Sequence, residues 1–143
     1  MCLDPKSPLY RGWYCGLTHF VGNNENTKKM ITDGFEFVTS KPGNFWAGRY
    51  RDIVLYGMER DTDKLQSRMV SSGKYEVTLT CEMDPAIFDF PLTVKLRINE
   101  RAKTVTAKQG DKPINSKVIE NAGQKFALVE VVPNRGPAMV EAK

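Results

Sequence analysis

The chain has 143 residues, of which 41% are apolar and 27% are charged, and its formal net charge is +4. These values exclude a disordered or low-complexity chain and predict one domain, or one domain with a small appendage. No apolar run approaches the roughly 20 residues that span a membrane, and residues 1–12 lack the pattern of a signal peptide. The cations are spread over both halves, so we expect neither nucleic acid nor membrane as a partner. Nothing in the sequence fixes the compartment.

The first third of the chain predicts strands that alternate with helices. Residues 13–20 form a nearly continuous apolar run, which indicates a strand buried on both faces. Residues 26–32 are typical of a short helix, which Gly34 is expected to end. Residues 35–38 then predict a second short strand.

A longer helix is expected to complete the second strand–helix unit. Asn44 is placed to cap a helix that runs to about Arg60, with Trp46 and Tyr50 on its apolar face. This order predicts parallel strands covered by helices. Two such units are too few to close a sheet, so we expect residues 1–73 to be part of a larger domain.

The second half, residues 74–143, predicts a small antiparallel β-sandwich. Apolar and polar residues alternate with a period of two, and turn residues separate the alternating stretches. The expected strands are residues 75–83, 92–98, 104–108, 126–132 and 138–140. Phe126 is assigned to an inward-facing position of a central strand that is covered on both sides. The predicted fold class is therefore α+β, with two β/α units followed by this sandwich.

Charged residues and cysteines indicate few sites. The residues that would form a local basic patch are Arg97, Arg101, Lys103 and Lys108. Because polar positions on the outer face of strands are usually just solvated, we do not assign them a nucleic-acid role. The three cysteines are Cys2, Cys15 and Cys81. They form no C-x-x-C pair, so neither a disulfide framework nor a zinc site is predicted.

The chain contains one histidine, His19, at the end of the first predicted strand. Catalytic side chains in β/α folds lie where strands end and loops begin, so this position suits a general acid or base. The alternative is a partly buried histidine that donates to a backbone carbonyl.

Aromatic residues near His19 offer a candidate sugar-binding site. Trp13, Tyr14 and Trp46 would line a cleft in which flat rings stack on sugars. The alternative is that Trp46 and Tyr50 belong to the core, and we favour this assignment for the pair.

Two segments carry a resemblance to a known family. Residues 11–19 (RGWYCGLTH) and 35–39 (FEFVT), followed by a helix with Trp46 and Tyr50, resemble the end of the polysaccharide deacetylase domain. The resemblance implies an irregular β/α barrel in which His19 is the general acid that protonates the departing amine. Family members use a divalent metal such as zinc, but the metal-binding motifs have no counterpart here, so no cofactor is expected within this chain.

The resemblance implies the C-terminal part of a hydrolase of the carbohydrate esterase class, acting on N-acetylated sugars in carbohydrate metabolism. We expect this part to be inactive alone, since the metal ligands are missing. Its expected partners are carbohydrate, the missing N-terminal part of the domain, or a second copy. The alternative is a non-enzymatic β-sandwich accessory or protein-interaction module.

Overall fold

A computed structural model describes residues 4, 6–8, 12, 22, 24–41 and 43–143. The chain divides into two compact units, Met1–Tyr50 and Arg51–Lys143. Within the described part, neither helix has the length and apolar character needed to cross a membrane.

The first unit contains helix α1 (Glu25–Thr39). It begins after Asn24, whose Oδ1 accepts hydrogen bonds from the backbone N–H groups of Asn26 and Thr27 at 3.0 and 3.2 Å. This arrangement satisfies two of the donors that a helix start leaves without partners. Two ion pairs on the helix surface add support; they join Lys28 to Glu25 and Lys29 to Asp33.

The predicted strand at residues 35–38 is wrong, because α1 continues through this segment. Gly34 does not have a positive φ and therefore does not end the helix. An interior glycine costs a helix only about 1 kcal/mol relative to alanine, which capping and ion pairs offset. The other predicted strand, residues 13–20, lies outside the described residues. No β/α unit is present in the described part of the chain.

Helix α2 (Tyr50–Thr62) begins six residues later than Asn44, where the sequence predicted its start. Residues 45–49 have no regular secondary structure, so Trp46 precedes the helix. Trp46 is 51% exposed and Tyr50 is 65% exposed. The assignment of these two side chains to the core is therefore wrong.

The second unit is an antiparallel β-sandwich with α2 at its start. Its strands are β1 (Lys64–Ser71), β2 (Lys74–Thr80), β3 (Leu92–Arg97), β4 (Val105–Gln109), β5 (Lys112–Ile114), β6 (Ser116–Asn121), β7 (Gln124–Val131) and β8 (Ala138–Ala142). They form a five-stranded sheet in the order β1-β2-β8-β4-β5 and a three-stranded sheet in the order β3-β7-β6. The predicted fold class is thus wrong in its β/α units: the described chain is mostly β, with two helices and two antiparallel sheets.

One apolar core lies between the two sheets. Buried residues alternate with more exposed ones along β2, β7 and β8, as the two-residue period of strands requires. The fully buried side chains include Val77 of β2, Val129 of β7 and Val140 of β8. Ser116 connects the sheets because its hydroxyl donates to the carbonyl of Val105 at 3.3 Å.

The sequence predicts a domain boundary between residues 73 and 74. In the structure this position lies in the turn between β1 and β2. Gly73 has a φ of +73°, and a Cβ at this position would lie 2.6 Å from the carbonyl oxygen of Ala142. The backbone N–H of Ala142 donates to the Gly73 carbonyl at 2.8 Å. Glycine is required here, since β8 passes directly against the turn.

Candidate functional site

The outer face of the three-stranded sheet combines an apolar centre with basic side chains, and we call it the basic face. Alternation along β7 places Ala127, Val129 and Val131 in the core, so Phe126 and Leu128 point to the other side of the sheet. The residues of the basic face are Lys95, Arg97, Lys117, Ile119, Phe126 and Leu128.

Strand register sets the spacing of these side chains. Leu128 pairs with Lys95 on one side and with Lys117 on the other. Phe126 pairs in the same way with Arg97 and Ile119. Neighbouring strands are about 4.8 Å apart, so Lys95 and Lys117 stand roughly 10 Å apart across Leu128. Lys95 and Arg97 are two residues apart on one strand, roughly 7 Å.

A cation lies over the aromatic ring of the basic face. The Nζ atom of Lys95 lies over the Phe126 ring, 4.0 Å from its centroid. Such a contact at an exposed site contributes about 0.5–1 kcal/mol. It therefore restricts the Lys95 ammonium to a position above the centre of the sheet.

The three cations of the basic face have no carboxylate partner within the described chain. Lys95, Arg97 and Lys117 form no ion pair there. One carboxylate borders this face: Glu130 lies two residues beyond Leu128 on β7 and accepts a hydrogen bond from Asn115 Nδ2 at 2.7 Å. The face consequently carries an excess of positive charge.

The five-stranded sheet differs, because cross-strand ion pairs neutralise much of its outer face. Arg68 donates to both carboxylate oxygens of Glu76, at 2.8 and 3.1 Å. This hydrogen bonding lowers the pKa of Glu76 below its usual value. Lys74 lies 3.7 Å from Glu141. A ligand for Arg68 or Lys74 would have to compete with these carboxylates, whereas a ligand for the cations of the basic face would not.

An open groove continues from the basic face at the end of β3. The residues lining it are Arg97, Ile98, Asn99, Glu100 and Arg101. The side-chain oxygen of Asn99 accepts from the backbone N–H of Arg101 at 2.8 Å, which fixes the turn. Arg97 belongs to both the face and the groove, so the two form one surface.

A buried carboxylate lies on α2, within the second unit. Glu59 is 0% exposed, and its Oε1 accepts from the backbone N–H of Phe90 at 3.2 Å. Burial raises the pKa of Glu59, the hydrogen bond from Phe90 opposes this, and the negative charges of Asp89 and Asp63 add to the rise. Burial also raises the pKa of Asp63. Among the described residues, no three His, Cys, Asp or Glu side chains are grouped to hold a metal ion.

The predicted site residues are mostly outside the described part of the chain. Three of them, His19, Trp13 and Tyr14, are not among the described residues. The fourth, Trp46, lies in the segment before α2. Their catalytic and sugar-binding roles stay predictions, as does the expectation that the chain holds no cofactor.

Sequence reasoning missed the basic face. The sequence predicts that Phe126 faces inward, which is wrong: its register with exposed Arg97 and the ammonium of Lys95 over its ring place it on the outer side. The sequence predicts Arg97 only as part of a solvated basic patch. The available signal was that β7 is apolar on both faces, together with lysines on the flanking strands.

Comparison with known proteins gives a different relationship from the predicted one. No family model and no solved structure matches the chain. It is 30% identical over 144 residues to a gellan lyase from Bacillus sp, and this alignment covers 94% of the chain but 6% of that protein. The chain thus spans a small part of the relative's length. The predicted resemblance to polysaccharide deacetylases is wrong, because the relative is a lyase. The expectation of a hydrolase or carbohydrate esterase is wrong for the same reason.

Proposed function

We propose that this chain is a non-enzymatic accessory module that binds polysaccharide through the basic face. The observation that carries the proposal is the alignment of 94% of the chain with a small part of a protein named for its action on gellan. A short segment that folds as a β-sandwich within a much longer protein is typical of an appended module.

The basic face has the chemistry that a polysaccharide needs. Leu128 and Ile119 are half-buried and offer apolar surface to the less polar sides of sugar rings. Lysine and arginine at the margins bring several hydrogen-bond donors each for hydroxyl and ring oxygens. The outer face of a sheet is open at both sides, so a long chain can lie across it over several sugar units with both of its ends free.

Binding to gellan tests the proposal, with affinity gel electrophoresis and titration calorimetry as the measurements. Leu128→Thr removes apolar surface from the basic face and keeps a residue that favours strands. We expect it to weaken binding several-fold. The matched control is Met139→Thr, at an exposed position of β8 in the other sheet, where Met139 is 42% exposed; it is expected to leave the affinity unchanged. Failure of the unaltered chain to bind, or equal loss in both variants, would refute the proposal.

A further inference from the structure

We infer that the basic face selects polysaccharides that carry carboxylates over neutral polysaccharides. This inference rests on the proposed function and specifies its ligand. The inference depends on the position of three cations, which surround Leu128: Lys95, Arg97 and Lys117. The ammonium of Lys95 also lies over the Phe126 ring.

The position of Lys95 argues against recognition of a neutral sugar by stacking. A neutral pyranose would use the open face of an aromatic ring, but the Phe126 ring already has an ammonium 4.0 Å from its centroid. Stacking there would require the cation–ring contact to be broken first. An anionic group would instead approach the ammonium while the ring keeps it in place, so part of the ordering cost is already met.

The charge distribution supports the same conclusion. Lys95 and Lys117 lie on the two strands next to Leu128, roughly 5 Å from it, and Arg97 is its diagonal neighbour at roughly 7–8 Å. All three are therefore within about one Debye length of Leu128, which is about 8 Å at physiological salt. Their potentials therefore add over the centre of the face, where a carboxylate would be attracted by all three and repelled by one carboxylate, that of Glu130 two residues further along β7. On the other sheet, the ion pairs of Arg68 and Lys74 leave less charge for a ligand.

The groove beside β3 extends the cationic path. Arg101 lines it together with Arg97 and one carboxylate, that of Glu100, so a chain that crosses the basic face meets a further guanidinium at its margin. Arginine binds carboxylates through two parallel hydrogen bonds, which suits acidic units placed along a polymer.

A single-stranded nucleic acid fits this surface less well. Proteins that bind it combine cations with exposed rings on which successive bases stack. Phe126 is the aromatic residue of the basic face, and its ring is covered by Lys95. We therefore assign the cations to carboxylates on a polysaccharide.

The test compares two polymers that differ in charge. Binding of the full chain is measured by calorimetry with polygalacturonate and with its carboxyl-reduced, neutral form, at low and at physiological salt. We expect at least tenfold tighter binding of polygalacturonate, and weaker binding as salt rises. The variant Lys95→Gln/Lys117→Gln is expected to lose roughly four- to twenty-five-fold in affinity for polygalacturonate, since each exposed ion pair contributes about two- to fivefold.

A matched variant controls for net charge. Lys108→Gln/Lys112→Gln removes two exposed cations from β4 and β5 of the other sheet and should leave binding nearly unchanged. Equal binding of both polymers, still weakened by Leu128→Thr, would overturn the charge selectivity and leave the proposed function intact. Absence of binding to either polymer and to gellan would overturn both. Binding of oligothymidine as tight as that of polygalacturonate would show general polyanion binding and also overturn the inference.

Discussion

Asn134 connects the turn before β8 to the end of β2. Its replacement tests two contributions to stability, the hydrogen bonds of its side chain and the conformational cost of its positive φ. Its Oδ1 accepts from the backbone N–H of Cys81 at 3.0 Å, and its Nδ2 donates to the Cys81 carbonyl at 2.7 Å. Its φ is +59°, a left-handed conformation that disfavours most side chains. The backbone N–H of Asn134 also donates to the Leu79 carbonyl at 3.0 Å, and this bond survives any substitution except proline.

The two contributions can be estimated separately. Loss of two hydrogen bonds costs about 0.5–1.5 kcal/mol each, so Asn134→Gly should lower the free energy of unfolding by roughly 1–3 kcal/mol. Asn134→Ala loses the same bonds and adds about 1–2 kcal/mol for a Cβ at positive φ. Alanine also makes the unfolded chain less flexible than glycine does, which stabilises the folded state by about 0.4–1 kcal/mol. We therefore expect the alanine variant to be less stable than the glycine variant by about 0.8 kcal/mol, the difference between the midpoints of these two ranges.

Urea denaturation at pH 7 measures both differences. Asn121→Ala, at an exposed position at the end of β6, is the control and should change stability by less than about 0.5 kcal/mol. Equal stabilities of Asn134→Ala and Asn134→Gly would refute the conformational part of this reasoning. An Asn134→Gly variant as stable as the unaltered chain would refute the contribution of the hydrogen bonds to Cys81.

Three further substitutions test the buried parts of the second unit. Because burial raises the pKa of Glu59, the folded state binds its proton more tightly, and stability falls as pH rises from the ordinary value of 4.5 through the raised one. The decline in the free energy of unfolding is about 1.4 kcal/mol for each unit by which the pKa is raised. Glu59→Gln is expected to remove this decline when denaturation is measured as a function of pH, and an unchanged pH dependence would contradict the prediction. Gly73→Ala, whose Cβ would meet a carbonyl oxygen at 2.6 Å, should lower the melting temperature more than Gly110→Ala, whose Cβ meets nothing within 4 Å; equal losses would contradict this. Leu79→Ala, at a position 2% exposed, should cost about 2–5 kcal/mol in denaturant unfolding, and a loss below about 1 kcal/mol would argue against its place in the core.

The sequence pattern predicted strands where alternation was regular and failed where the same residues suit two structures. The observed β2, β3 and β7 overlap the predicted ranges, because a period of two reports directly which residues face the core. The segment 35–38 was too short and too apolar for its period to distinguish strand from helix. β1 was missed because it is an edge strand, with all eight of its residues exposed. A strand without a buried face has little hydrophobic signal.

The candidate site could not be predicted for a related reason. β7 is apolar on both sides, and the sequence alone does not tell whether a second layer covers the outer side. The structure leaves that side half-exposed, which turns Phe126 and Leu128 into surface residues. The cation–ring contact of Lys95 depends on the β3–β7 register, which pairs residues 29–39 positions apart in sequence.

Two lysines of the three-stranded sheet allow stability and binding to be separated. Lys125 Nζ donates to the carbonyl of Ala102 at 2.8 Å in a partly buried site, whereas Lys117 is exposed and forms no ion pair within the described residues. Lys125→Gln should therefore lower the free energy of unfolding by about 1–3 kcal/mol, since it leaves a buried carbonyl without its donor, while its affinity for polygalacturonate stays the same. Lys117→Gln should keep stability within about 0.5 kcal/mol and weaken binding about two- to fivefold. Denaturation and calorimetry on both variants test this, and loss of binding in Lys125→Gln with full binding in Lys117→Gln would place the polysaccharide on another surface.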